Sequence, residues 1–366
     1  MGGNNMLKFR TIGQLLNLYI LPEIEKRIDE GTIEENELPF NVFQFRIILK
    51  KISEDKVSPI VEINEEVNVV VNVTAKRKTI PGEIVTLNDI DPDQSYIVPP
   101  VYDGKPAAYF LCQSSFFDYF LTFDCRPNFP DITEDFQEMK NAYPILDFIN
   151  NIKLYKDIKP IEKIENLSKN NWPPAPGYYP HVLLELHKDS CVIDNPELLE
   201  IVSDAYGTSY WERRFAFWEE TNFFPERLLY IKKAVDAHFS KDYIASIYVL
   251  VPQFEGIIVD YLSECNQRTG GTFKDKIETF KELIFSRKIL MFPKQVFDTA
   301  FEYLNTGSFW ENSYKIKNPS TTINRHGIAH GNFKGFECEE ISLKYLILLD
   351  LLSYIILHDK MLREKI

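Results

Sequence analysis

The sequence predicts an α+β N-terminal domain, a mostly antiparallel sheet with flanking helices, followed by an all-α helical bundle. Three observations predict it. Short β-branched and aromatic runs crowd residues 40 to 130, and apolar residues recur every three or four positions after Pro225. Between them, Trp172-Pro173-Pro174-Ala175-Pro176-Gly177 punctuates the chain, because three prolines in four positions continue no helix. These signals divide the 366 residues into 1–175, a linker and aromatic connecting segment over 176–224, and 225–366. A hydrophobic content of 45% with 14% aromatics excludes a disordered chain.

Residues 9 to 30 carry Phe9, Ile12, Leu16, Tyr19, Ile24 and Ile28 on one helical face, which Gly31 ends. Val42 to Leu49 and Val67 to Val73 read as strands, the second with valines alternating. Ile80-Pro81-Gly82-Glu83 and Asp89 to Asp93 are turns. Ala107 to Cys112 and Phe116 to Phe123 follow as strands joined through Gln113-Ser114-Ser115, and Ile132 to Asn151 returns to helical spacing. Pro196 to Tyr206 looks helical, whereas the aromatic run Tyr210 to Trp218 fits neither domain by pattern alone. From Pro225, helices run to His238, from Asp242 to Cys265 with a kink at Pro252, from Thr272 with Asp275 completing a near capping box, and from Pro293 to Gly307. Glu339 to Met361 closes the chain as the last of about five bundle helices.

The net charge of −13 argues against broad attraction to nucleic acid or anionic membranes, but it is unevenly placed. Residues 224–366 hold 19 Lys and Arg against 18 Asp and Glu, a net of +1, which leaves −14 to the front part. Five cysteines, odd in number and without a Cys-x-x-Cys, fit reduced thiols better than a disulfide framework or zinc ribbon. No basic-then-apolar leader is visible at Met1, and the apolar run Tyr345 to Leu357 is interrupted by Asp350 and too short to span a bilayer. The expectation is a cytoplasmic protein with no membrane partner.

The chemistry concentrates in Asn324-Arg325-His326-Gly327-Ile328-Ala329-His330-Gly331. On a helix, residues four and five apart lie near one face, so Arg325, His326 and His330 are expected to converge. Histidine titrates near neutrality and serves as acid or base. Arginine stays charged and grips phosphate oxygens through two nitrogens. With 12 arginines and 6 histidines, an Arg five positions before a His arises by chance about 0.2 times, so context has to add weight.

That context resembles the HEPN family of helical ribonucleases and nucleotide-associated domains over roughly residues 225 to 366. The family signature is Arg, a polar residue, three variable residues and His. Here these are Arg325, His326, residues 327–329 and His330, flanked by Asn324 and Gly331 and set before a terminal apolar helix. The resemblance implies a metal-independent endoribonuclease of bacterial defence or toxin type, leaving 2′,3′-cyclic phosphate and 5′-hydroxyl ends. It assigns proton transfer to His330, phosphate binding to Arg325 and orientation to His326, with Asn324 contributing. It further implies a homodimer formed through the bundle, with RNA or a nucleotide as partner and no cofactor. Glu255, mid-helix after Pro252, is expected to support Arg325, and Lys315, Lys317 and Lys334 to guide a phosphate backbone. A regulatory partner, or a charge-based restraint on the nuclease, is assigned to the acidic front domain.

Other readings stand beside it. A non-catalytic nucleotide, RNA or dimerisation module would use the same bundle. His326 and His330 also fit a structural pair in a helix cap, with Arg325 bonding a carboxylate. The spacing His-x-x-x-His suits zinc, but no third ligand is evident. Trp211 and Trp218 could stack bases, although aromatic clusters are more often core.

Overall fold

The computed structural model describes residues 15–53, 56–65, 71–91, 93–97, 101–102, 105–106, 108–113, 121–124, 159–178, 181–188, 196–305, 309, 315–317 and 322–364. It is mostly helical with a small sheet. The chain forms two compact units. One comprises Met1–Asp157, Ile289–Phe292 and Met361–Ile366, the other Ile158–Lys288 and Pro293–Lys360.

In the first unit, strands β1 (Gln44–Ser53), β2 (Lys56–Ile63), β3 (Ala108–Gln113) and β4 (Leu121–Asp124) form one antiparallel sheet in the order β2-β1-β3-β4. Phe45, Ile47 and Ile48 are fully buried in β1, and Arg46 pairs at 2.5 Å with Glu62 directly opposite on β2. Pro59 donates no hydrogen bond, which the outer position of β2 tolerates, and that proline hides the strand from pattern reading. A π-helical turn, Leu16–Ile20, packs against β2 and runs into helix α1 (Leu21–Asp29), with Leu16, Ile20 and Ile24 inward. Gly31 supplies the left-handed residue beyond it at φ 69°. Of the expected strand at 67–73, Val71–Asn72 pairs with Tyr96–Ile97, and 66–70 lie outside the described residues, as does the expected helix at 132–151.

The second unit holds α2 (Pro160–Lys169), α3 (His181–Lys188), α4 (Pro196–Ala205), α5 (Thr208–Glu220), α6 (Leu228–Phe239) and α7 (Tyr243–Glu264). It continues with α8 (Phe273–Phe285), α9 (Lys294–Leu304), the one-turn α10 (Arg325–Ala329) and α11 (Glu339–Glu364), whose residues from Met361 onward fall in the first unit. Asp242 caps α7 by accepting the Ala245 N–H at 3.1 Å, and α7 continues through Pro252. Thr272 and Asp275 form the capping box of α8. In α11 the consecutive residues Tyr345 to Leu352 are all inaccessible, so this stretch is buried on every side because it is the core.

Three expectations need correcting. The described residues of 176–224 form the packed helices α3, α4 and α5 instead of a linker, and the two compact units divide at 157/158. Trp172, Ala175 and Tyr178 are buried, the Lys344 ammonium sits 4.6 Å from the Trp172 ring, and Trp211 and Trp218 are at most 1% exposed. Burying an indole removes roughly 200 Å² from water, about 5 kcal/mol, so Trp211 and Trp218 are core of the helical unit and offer no face to bases. Secondly, residues after Pro225 are not all helical. Ile289–Leu290 forms a two-residue strand parallel to Phe40–Asn41, where Pro293 halts the chain and the apolar run Ile289 to Phe292 is buried. Thirdly, the apolar run ending the chain belongs to a longer helix. By length and composition Tyr243–Glu264 and Glu339–Arg363 could each cross a membrane, but 89% of the apolar window in the latter is buried by protein, as in a core helix.

Candidate functional site

Two caps fix α10 at five residues. The fully buried Asn324 side chain accepts the Gly327 N–H at 2.5 Å and starts the helix. At the other end Gly331, at φ 67°, donates to Ile328 O at 3.0 Å and Asn332 donates to Gly327 O at 2.8 Å, a Schellman closure that needs glycine. Asn324 is therefore a capping residue, held away from solvent.

The caps set where the ionisable groups stand. Arg325 is the first helical residue, His326 the second and His330 the C-cap. The two imidazoles meet, with ring centroids 4.5 Å apart and planes inclined at 57°. His330 is exposed and His326 half-buried. Among the described residues neither ring makes a hydrogen bond. Arg325 turns elsewhere. Its Nη2 donates to Glu255 Oε2 and its guanidinium lies 5.0 Å from the Phe273 ring, which leaves its side chain 16% exposed. The expected convergence of all three is thus incomplete, because five residues on a helix span 140° beyond a full turn. The i,i+4 histidines come together and the arginine is drawn to α7.

The Glu255 pairing anticipated from sequence is present, and it includes a residue that sequence reading missed. Lys276 on α8 donates to Glu255 Oε1 at 2.9 Å and to Gly271 O at 3.0 Å. Gly271, at φ 94°, makes that turn, and a β-carbon there would strike the Asp275 carboxylate of the capping box. One carboxylate thus serves two cations, one on each oxygen, and the cluster keeps a net charge of +1 (+2 from Arg325 and Lys276, −1 from Glu255). Partial burial pushes the Glu255 carboxyl up, but the Lys276 hydrogen bond and the Arg325 and Lys276 charges outweigh it and hold it below its ordinary value. The available signal for Lys276 was a cation in the first turn of α8, a position that disfavours positive charge unless an acid answers it.

Lys315, Lys317 and Lys334 are exposed, and no contact among the described residues ties them to this cluster. No third His, Cys, Asp or Glu among the described residues joins His326 and His330 as a metal-ligand set. His238 and His358, to which the sequence assigns no role, are buried. His238 Nδ1 lies 2.8 Å from Ser342 Oγ, which bonds Ser246 Oγ at 2.9 Å. Burial pushes His238 down to about 4 and His358 to about 3, so both sit neutral in the core.

Compared with known proteins, the chain matches no family model, no curated sequence and no solved structure, so the site is read from its own chemistry.

Proposed function

We propose that the chain is a HEPN-like, metal-independent endoribonuclease whose site is centred on Arg325, His326 and His330. The observation that carries the reading is the histidine pair: two touching imidazoles, one exposed, with no protein hydrogen bond among the described residues, beside a cluster of net charge +1. RNA brings its own nucleophile. One imidazole takes the 2′-hydroxyl proton, the 2′-oxygen bonds to the adjacent phosphorus, and the bond from phosphorus to the 5′-oxygen breaks as that oxygen receives a proton from the other imidazole. Products are a 2′,3′-cyclic phosphate and a 5′-hydroxyl. Arg325 and Lys276 supply positive potential to the crowded phosphorane. His330 is the proton-transfer residue, His326 its partner and orienting neighbour, and Glu255 holds Arg325 in place.

A second copy of the chain completes the site in this reading. On α7, Ile244 and Tyr248 are 50% and 46% exposed, and the same stripe continues through exposed Pro252 to Glu255. An apolar stripe leading to the cluster suits a homodimer that brings two motifs together. The proposed setting, RNA cleavage in bacterial defence or as a cytoplasmic toxin, rests on the family resemblance.

One observation favours the non-catalytic alternative. Arg325 is mostly buried and already engaged by Glu255, as suits a fixed binding or packing element. The test is cleavage of RNA in the presence of EDTA by the parent chain, Arg325→Ala and His330→Ala, with end-group analysis. Loss of at least ~100-fold in both folded variants supports the nuclease. Retained RNA binding without cleavage in the parent supports the module, and unfolding of both variants supports a purely structural cap.

A further inference from the structure

We propose that a separate cavity, between the start of α6, the C-terminal half of α7 and the end of α11, binds a small organic cation: an alkylammonium ion with an apolar body. The cavity measures about 570 Å³, within the size of small-molecule pockets. Its inner wall is apolar, with Ile257, Ile356, Phe223 and Tyr261 all buried. Its rim carries three carboxylates, Glu226, Asp260 and Glu264, against two cations, Arg227 and Lys360.

Charge pairing decides the ligand class. Arg227 Nε bonds Asp260 at 2.6 Å and its Nη1 bonds Gln253 at 3.1 Å, and the guanidinium rests so closely on Gly256 that any β-carbon there would collide with it. Lys360 Nζ lies 3.1 Å from Glu264. Those two pairs neutralise one another. Glu226 is exposed and has no partner among the described residues, so the rim retains one negative charge. An anion would have to approach three carboxylates or break an existing ion pair. A cation meets a spare carboxylate.

The aromatic groups agree. The Lys360 ammonium already stands 5.6 Å from the Phe223 ring and 5.9 Å from the Tyr261 ring, so the electron-rich faces of this wall accept an ammonium. Phe224 and the 55% exposed Tyr230 line the same cavity and are unoccupied by any cation of the chain among the described residues. An alkylammonium would place its charge between Glu226 and Tyr230 and its methylenes against the Phe224 and Tyr230 rings. The inference is independent of the ribonuclease reading, which it neither needs nor supports.

Titration of the full-length chain with tetraethylammonium chloride at constant ionic strength, by calorimetry, tests it, with AMP as the anionic comparison. Trp218 gives a second readout, because its ring lies 5.7 Å from Phe224 and its fluorescence should follow occupancy. Saturable binding of the cation is expected, weakened about five- to tenfold in Glu226→Gln and by a similar factor in Tyr230→Ala, both exposed positions whose folding circular dichroism can confirm. Absence of saturation at millimolar cation, an unchanged affinity in Glu226→Gln, or preferential binding of AMP would each overturn the proposal.

Discussion

Two constellations of charge in the helical unit share ingredients and differ in what they have left over. Around α11, Asp350 is fully buried. It faces Arg214 Nε at 2.9 Å, accepts a short hydrogen bond from Tyr210 and lies 3.5 Å from the Tyr206 hydroxyl, while Arg214 also donates to Ser353 at 2.6 Å. Burial pushes the Asp350 carboxyl up, and Arg214 and the two hydroxyls push back. One turn from the end of the helix, Asp359 takes two bonds from Arg287, at 2.6 and 2.7 Å, and one from Tyr261 at 2.5 Å. Every charge there is spent inside the protein. Around α10, by contrast, two cations share one carboxylate and two imidazoles touch without bonding. A fully buried cluster must consume its charges to exist, and one that opens to solvent at Glu255 and His330 can keep some for a ligand.

The sharpest way to break the contrast is Arg214→Ala, which strands Asp350 in the core. It should cost roughly 3–5 kcal/mol of stability, seen as a large fall in Tm or in denaturant midpoint, whereas His330→Ala at its exposed position should cost about 0.5 kcal/mol or less. Equal losses would erase the distinction between spent and spare charge. Acid gives the next largest effect. His238 and His358 have folded values depressed to about 4 and about 3, so the unfolded chain binds the extra protons first. Their neutral burial is therefore fully compatible with folding above about pH 6.5, and stability falls as pH drops from there toward 3, by about 1.4 kcal/mol for each unit of depression. Replacing both by Leu should flatten the stability profile between pH 6 and 4, and an unaltered slope would assign acid sensitivity elsewhere. The smallest effect belongs to the cap. Asn324→Ala should cost about 1 kcal/mol, and Asn324→Asp, which can still accept from Gly327, should recover most of it. A cleavage defect in Asn324→Ala rescued by Asp would mark Asn324 as a positioning residue for the imidazoles and not a contact to RNA.

Much of the helical unit was legible because local rules carry it. Asp242 and Thr272 cap the helices they precede, and the apolar spacing of α6 to α9 matches their buried faces. The site was legible in part. Glu255 was foreseen as the partner of Arg325, since a carboxylate amid apolar neighbours needs a cation, and the histidine contact follows from a four-residue spacing. What escaped depends on distant residues. Trp172-Pro173-Pro174 reads as a linker until Lys344 and the surrounding helices cover it, and nothing near Tyr210 reveals that its hydroxyl meets an aspartate 140 positions later. Lys276 was overlooked because its significance lies in an acid on another helix. The β2 strand was hidden by Pro59, whose outer-strand placement only pairing discloses.

The parallel pairing of Phe40–Asn41 with Ile289–Leu290 carries a practical consequence for dissecting this chain. A fragment starting at residue 158 would still contain the thread Ile289-Leu290-Met291-Phe292, now stripped of its strand partner, with Val42 no longer donating to Leu290 O. Four water-shy side chains in a row beside an open backbone edge invite self-association, so such a fragment would test stickiness before it tested the proposed cleavage. Scissors alone do not separate these two bodies; the thread has to be redesigned when the cut is made.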